Sequence, residues 1–270
     1  MGGDKNRKQA GHGGENLKRF KGRKSVQAIE LAAGSRYNGG VWKDILQWKG
    51  KRMTEAIIFD MDGLMFDTET ISIPSWVKAG EILGYPITEA MIFELFGMNP
   101  VAVNAYWKEH FGDSFDCGAA MKLHLDYMED YVRENGVPLK PGLITLLDFL
   151  KERGYRFTIA SSTQRPMIKM YLERAEIGHY FTDQIVGGDE IINGKPAPDI
   201  YLKAAQKLGT APECCMVFED SLAGIESAWR AGMKPVMVPD KVPADAVTEE
   251  RLYAKLKTLD EGIELLIKES

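Results

Sequence analysis

The sequence predicts an α/β protein: a parallel sheet with helices on both faces, interrupted after its first strand by an inserted set of helices. Three observations predict it. From Met53 onward, short β-type apolar runs alternate with longer helical patterns. Strands joined by helices of about 10–15 residues imply a parallel sheet covered on both sides. Between the first and second such runs, roughly 95 residues carry helical patterns and no strand pattern. Finally, 44% hydrophobic and 10% aromatic residues in a chain of 270 suffice for a large buried core. No run approaches the roughly 18 apolar residues of a membrane span, so a soluble globular protein is expected.

The first element is a basic extension. Residues 1–52 hold 13 Lys and Arg against 4 Asp and Glu, together with 10 of the 27 glycines, whereas residues 53–270 carry a net charge of -14. Glycine at that density costs backbone entropy on folding, and the scattered apolar residues offer only two short helical stripes. The segment reads as an appendage: a basic arm for nucleic acid or acidic membrane, an added leader, or sequence upstream of a start at Met53.

The expected strands are Ala56–Phe59, Phe157–Ala160, Gln184–Val186, Met216–Phe218 and Pro235–Val238, each followed by polar or Gly-containing turn residues. Leu143, Leu146, Leu147 and Leu150 mark one face of a helix stopped by Gly154. Ile225, Ala228 and Trp229 mark another, begun at Ser221 and stopped by Gly232. The insertion reads as helices over Ser75–Leu83, Thr88–Phe96, Val101–Phe111 and Ala119–Asn135, and a return link with Pro138 and Pro141 suits a stiff hinge. The expected division is therefore a core of residues 53–67 and 139–270 with a helical cap of residues 68–138.

The chemistry gathers where the strands end. Asp60 and Asp62 lie two apart after the first strand, so both carboxylates can project to one side. Ser161 and Ser162 follow the second apolar run, and Glu219 and Asp220 follow the run Met216–Phe218. A parallel sheet collects its strands' C-terminal ends into one crevice, which would hold up to four carboxylates. Each pair about 4 Å apart repels by roughly 1 kcal/mol in water and about 4 kcal/mol at an effective dielectric of 20, so the cluster calls for a cation. All-oxygen ligands favour Mg²⁺. Lys195, in the segment GKPAPDIY, is the obvious buried positive charge, and Pro198 is placed to open the following helix.

These residues resemble the haloacid dehalogenase-like phosphohydrolases, over Met53 to about Leu266. Four signatures occur in order: DMDG at Asp60–Gly63, a hydrophobic strand ending in Ser161, Lys195 in its proline-rich loop, and the Glu219–Asp220 pair. The helical insertion is similar to the small α-helical cap of the subgroup containing phosphoglycolate phosphatase and β-phosphoglucomutase. The resemblance implies a Rossmann-like core and a Mg²⁺-dependent phosphatase. In it Asp60 would be the nucleophile that forms an aspartyl-phosphate, and Asp62 the acid and base. Ser161 and Lys195 would hold the phosphoryl oxygens. The metal would be held by Asp60, the Asp62 carbonyl and Asp220, with Glu219 close by.

The resemblance also frames the alternatives. In the β-phosphoglucomutase pattern, a histidine follows the DT pair and an arginine in a cap loop grips the distal phosphate. Here Asp67 and Thr68 match the pair, but Ser72 takes the histidine's place, and the loop Phe96–Val101 holds no basic residue. Losing a second anion grip favours hydrolysis over a mutase. Trp76 lies where that branch has a substrate-facing aromatic, although aromatics on helices are more often core, and Ser162 and Arg165 are placed to touch phosphate or substrate. The expected partner is a small phosphorylated metabolite: a sugar phosphate, phosphoglycolate or a nucleotide. A catalytically inactive binding module is set aside because every required residue type is present. A nucleic-acid partner for the basic arm is opposed by the core's charge of -14, and no oligomer is implied. Three cysteines, Cys117, Cys214 and Cys215, make no disulfide framework and suggest a reducing cytoplasm.

Overall fold

The computed structural model describes residues 53–95, 100–181 and 183–269. The expectations for residues 1–52 and for most of the loop Phe96–Val101 lie outside the described residues. Five strands, β1 (Ala56–Phe59), β2 (Arg156–Ile159), β3 (Cys215–Glu219), β4 (Lys234–Met237) and β5 (Ala254–Lys255), form one sheet in the order β2-β1-β3-β4-β5. Every pairing is parallel, with Phe59 opposite Ile159 on one side and Phe218 on the other.

Alternate residues of the central strands serve opposite faces. Ala56, Ile58, Cys215 and Val217 pack with Ile200, Ala204 and Leu208 of a helix at Asp199–Leu208 and with Ala228 of a helix at Leu222–Arg230. On the other face, Phe59 stacks on Phe218 with ring centroids 5.5 Å apart. A side chain at Gly262, the first residue of the helix Gly262–Glu269, would meet Phe218 and Leu146 of the helix Leu143–Arg153. Burial on both faces explains why these strands read as continuous apolar runs.

In chain order the helices are α1 (Glu69–Leu83), α2 (Glu89–Leu95), α3 (Pro100–Phe111), α4 (Cys117–Asn135), α5 (Leu143–Arg153), α6 (Arg165–Arg174), α7 (Asp199–Leu208), α8 (Leu222–Arg230), α9 (Ala246–Glu249) and α10 (Gly262–Glu269). Gly154 ends α5 in the left-handed conformation, and the Ser221 hydroxyl caps α8 by accepting from the Gly224 N–H, both at the expected positions. Two expected elements differ. Gln184–Val186 pairs only through the bridge between Ala160 and Val186, because the Gly187–Gly188 backbone that follows turns in against Ser162 and Arg165. Helix α1 starts at Glu69 rather than Ser75. Pro74 suggests a start, but the Thr68 carbonyl already accepts from the Ile71 and Ser72 N–H groups at 3.1 and 2.8 Å, so the helix runs through the proline.

Helices α1–α4 form the insertion. Its two links to the sheet are tied to each other: the Asp67 N–H donates to the Pro138 carbonyl and the Lys140 N–H to the Met65 carbonyl, both at 2.9 Å. Trp76, Trp107, Tyr106 and Phe115 form the insertion's own core. Within it, His124 stacks on Trp76 at 4.5 Å, and its Nδ1 lies 2.5 Å from the Ser75 hydroxyl.

Burial lowers the His124 pKa from 6.5 to about 4. The unfolded chain therefore takes up this proton at a higher pH than the folded one. The stability from neutral His124 is full above about pH 6.5 and is lost as the pH falls toward 4, by about 3 kcal/mol. Urea denaturation should lose that much more between those pH values in the wild type than in His124→Gln. Equal pH slopes would contradict the assignment.

Candidate active site

The C-terminal ends of β1, β2 and β3 bring the predicted residues together. Asp60 follows β1 directly, and its N–H donates to the Phe218 carbonyl at 3.0 Å, which fixes it beside the end of β3. Its carboxylate and those of Glu219 and Asp220 each place an oxygen within 4.8 Å of the others. Gly63 makes the approach possible: it sits at φ 80°, and a Cβ there would lie 2.3 Å from Asp220 Oδ2. Only glycine satisfies both the left-handed backbone and the contact.

Lys195 reaches this cluster from the loop before α7. Its Nζ donates to Asp60 Oδ1 and to Glu219 Oε1, each at 2.5 Å, and sits 5.0 Å from the centre of the Tyr201 ring. The loop is held by its own turn, Ala197 N–H to the Gly194 carbonyl, and by the Ser227 hydroxyl donating to the Ala197 carbonyl at 2.6 Å. The Lys195–Pro196 peptide bond is cis.

Glu219 is fully buried and completely partnered. Besides Lys195, it accepts from the Tyr201 hydroxyl at 3.0 Å and from the Ser221 N–H and hydroxyl at 2.7 and 2.9 Å. Against the effect of burial, Lys195 and then Ser221 hold its carboxyl below the usual range. Asp60 goes the other way: burial, together with repulsion from Glu219 and Asp62, pushes it up to about 8 despite Lys195. Burial, then repulsion from Glu219 and Asp60, also pushes Asp220 up. Lys195 stays firmly protonated, since Asp60 and Glu219 outweigh its burial. One lysine thus does not neutralise three clustered carboxylates.

Asp62 takes hydroxyl partners instead of an ion pair. Its Oδ2 accepts from Ser161 at 3.1 Å and from Thr163 at 2.7 Å. Burial raises its pKa, while the Thr163, Ser161 and Thr68 hydroxyls oppose the rise. Ser161 also accepts from the Thr163 N–H at 3.0 Å, so in this arrangement it orders the β2 turn and Asp62. Ser162 is exposed at the same turn. Arg165 is engaged elsewhere, in ion pairs with Asp183 at 2.9 Å and Glu190 at 3.7 Å. Trp76 is 6% exposed and lies in the insertion's aromatic core rather than on an open surface.

Sequence reasoning missed Thr163, Tyr201 and Thr68 as contributors. The second hydroxyl after Ser161 and the tyrosine six residues beyond Lys195 were available signals. An α-helix's first turn brings the latter back toward the loop that precedes it.

The three carboxylates fit a hard divalent cation. All donors are oxygen, they lie close together, and burial followed by repulsion among the acids raises Asp60 and Asp220, which a bound cation would offset.

Comparison with known proteins gives a concordant result. Residues 57–238 match the family model described as haloacid dehalogenase-like hydrolase. A protein of Thermotoga maritima named "Phosphorylated carbohydrates phosphatase" is 30% identical over 220 residues, 78% of this chain and 90% of its own length. A Drosophila melanogaster protein named "Probable pseudouridine-5'-phosphatase" is 32% identical over 207 residues, 70% of this chain and 83% of its own. The crystal structure of an Entamoeba histolytica hydrolase of the same family superposes with a TM-score of 0.69 at 26% identity, covering 80% of this chain and 99% of its own. The ordered signatures, the parallel sheet that gathers them and these matches have one meaning: the chain belongs to the haloacid dehalogenase-like hydrolase family, as an enzyme of its phosphoric monoester hydrolase branch.

Proposed function

We propose that the chain hydrolyses a small phosphomonoester in a Mg²⁺-dependent reaction through an aspartyl-phosphate on Asp60. The observation that carries this reading is the pairing of two acids in opposite settings, Asp60 buried and Asp62 half-buried. Asp60 faces Lys195 and the acid cluster, whereas Asp62 faces hydroxyls. Asp60 attacks the phosphorus as the bond to the leaving oxygen breaks, and Lys195 stabilises the charge moving onto the phosphoryl oxygens. Burial raises the Asp62 carboxyl pKa, and in this reading Asp62 enters the reaction carrying the proton that passes to the departing alkoxide. The resulting carboxylate then takes a proton from the water that attacks the aspartyl-phosphate, which frees phosphate and restores Asp60.

Mg²⁺ held by Asp60, Asp220 and the Asp62 carbonyl would supply electrostatic neutralisation of the incoming phosphoryl group. Glu219, with four donors already on its carboxylate, supports Lys195 more than it supports a cation. The names of the relatives support a phosphorylated carbohydrate or a nucleoside phosphate as substrate class, and the three thiols suit a cytoplasmic enzyme.

The test is phosphate release from a panel of phosphomonoesters that includes β-glucose 1-phosphate, with Mg²⁺ and with EDTA. Magnesium-dependent release is expected. Glucose 6-phosphate formed from the 1-phosphate without release would establish a mutase instead.

A further inference from the structure

Away from the acid cluster, a second charged group sits on the hinge of the insertion. Glu69 opens α1, immediately after the outgoing link. Asp240 follows β4, and Lys140 lies in the return link. The Lys140 Nζ is 2.7 Å from Asp240 Oδ1, while Lys241 Nζ is 3.6 Å from the same oxygen and 3.8 Å from Glu69 Oε2. Asp240 thus touches the return link through Lys140 and faces the outgoing link through Glu69. The Asp240 side chain is only 9% exposed, and its Oδ2 is buried with no donor, as is Glu69 Oε2. A proton on one of these two neighbouring carboxyl groups gives both buried oxygens a partner.

We propose that Glu69 and Asp240 share one proton as a latch that holds the insertion's hinge in place, and that loss of this proton releases it. Burial first, and then Asp240, push Glu69 up from 4.5 to about 8. Asp240, against its burial, is held low by Lys140 and by the Glu69 proton. The charged groups around the pair are Lys140 from the return link, Lys241 beside Asp240, and Asp220 from the loop after β3, which Glu69 repels through space. When the hinge opens, Glu69 enters water and regains an ordinary carboxyl pKa. The latch is therefore at full strength below about pH 4.5, weakens as the pH rises, and is lost through about pH 8.

The hinge itself reports the outcome, independently of whether the enzyme is a phosphatase. The Asp67 and Lys140 amides donate across the two links, so their hydrogen exchange measures local opening. Exchange of the full chain, corrected for its intrinsic pH dependence, should be followed from pH 6 to 9 in EDTA and again at saturating Mg²⁺, which separates the charge of Asp220 from the latch. In the wild type, protection of both amides should fall by about tenfold or more over that range. In Glu69→Gln, whose amide donates to Asp240 at every pH, protection should stay level. Asp240→Asn, whose amide donates to ionised Glu69, should be equally level and serves if the first variant does not fold. Level protection in the wild type, or the same fall in the variants, would overturn the latch.

Discussion

Asp60→Asn is expected to lower turnover by about 10⁴-fold or more at saturating substrate, with little change in KM and no loss of stability. The size follows from the role: an amide cannot take the phosphoryl group, and removing a covalent nucleophile costs most of the chemistry that the site performs as a unit. The unchanged stability follows from the electrostatics. Asp60 is pushed up to about 8 by its burial and its acidic neighbours, so a neutral isostere relieves strain in the cluster. Lys195 keeps Glu219 as its partner at 2.5 Å. Steady-state kinetics together with thermal unfolding check both halves. Turnover within about tenfold of wild type would remove Asp60 from the chemistry.

Lys195→Met is expected to do the reverse on stability while also removing activity. Lys195 has a side chain only 9% exposed and bridges Asp60 and Glu219. Methionine fills much of the volume but leaves the carboxylates without their cation, and breaking a buried pair from one side costs about 3–5 kcal/mol. Turnover should fall by about 10²- to 10³-fold, the usual loss when a donor to a developing oxyanion is removed. Mg²⁺ should restore much of the stability and little of the turnover, because a cation can offset the acids but cannot replace a donor aimed from the Lys195 loop. Urea denaturation with EDTA and with Mg²⁺ separates the two effects. A variant as stable as wild type in EDTA would mean that the acids are neutral without Lys195.

The contrast between these variants reflects what was legible beforehand. The central strands could be read because residues such as Ile57, Ile58, Val217 and Phe218 are buried on both faces, and the chemistry could be read because acids placed after such strands must converge. β5 could not: Ala254 and Lys255 carry no period, and their strand exists only through pairing with β4. The partners within the site were equally hidden. Glu219 reads as one more acid in the sequence, yet Lys195, Tyr201 and Ser221 occupy it. Ser161 reads as a phosphoryl donor, yet its hydroxyl is turned to Asp62. Which hydroxyl meets which acid depends on side-chain direction at the ends of the strands, and spacing alone does not carry that.

The central claim is that Asp60 becomes covalently phosphorylated. The most direct measurement is rapid quenching of the enzyme in acid during turnover of its best substrate, followed by mass analysis of the peptide that spans Asp60. Wild type should carry one alkali-labile phosphoryl group on that aspartate, and Asp60→Asn none. Turnover with no labelled aspartate at any quench time, or with the label on another residue, would contradict the account.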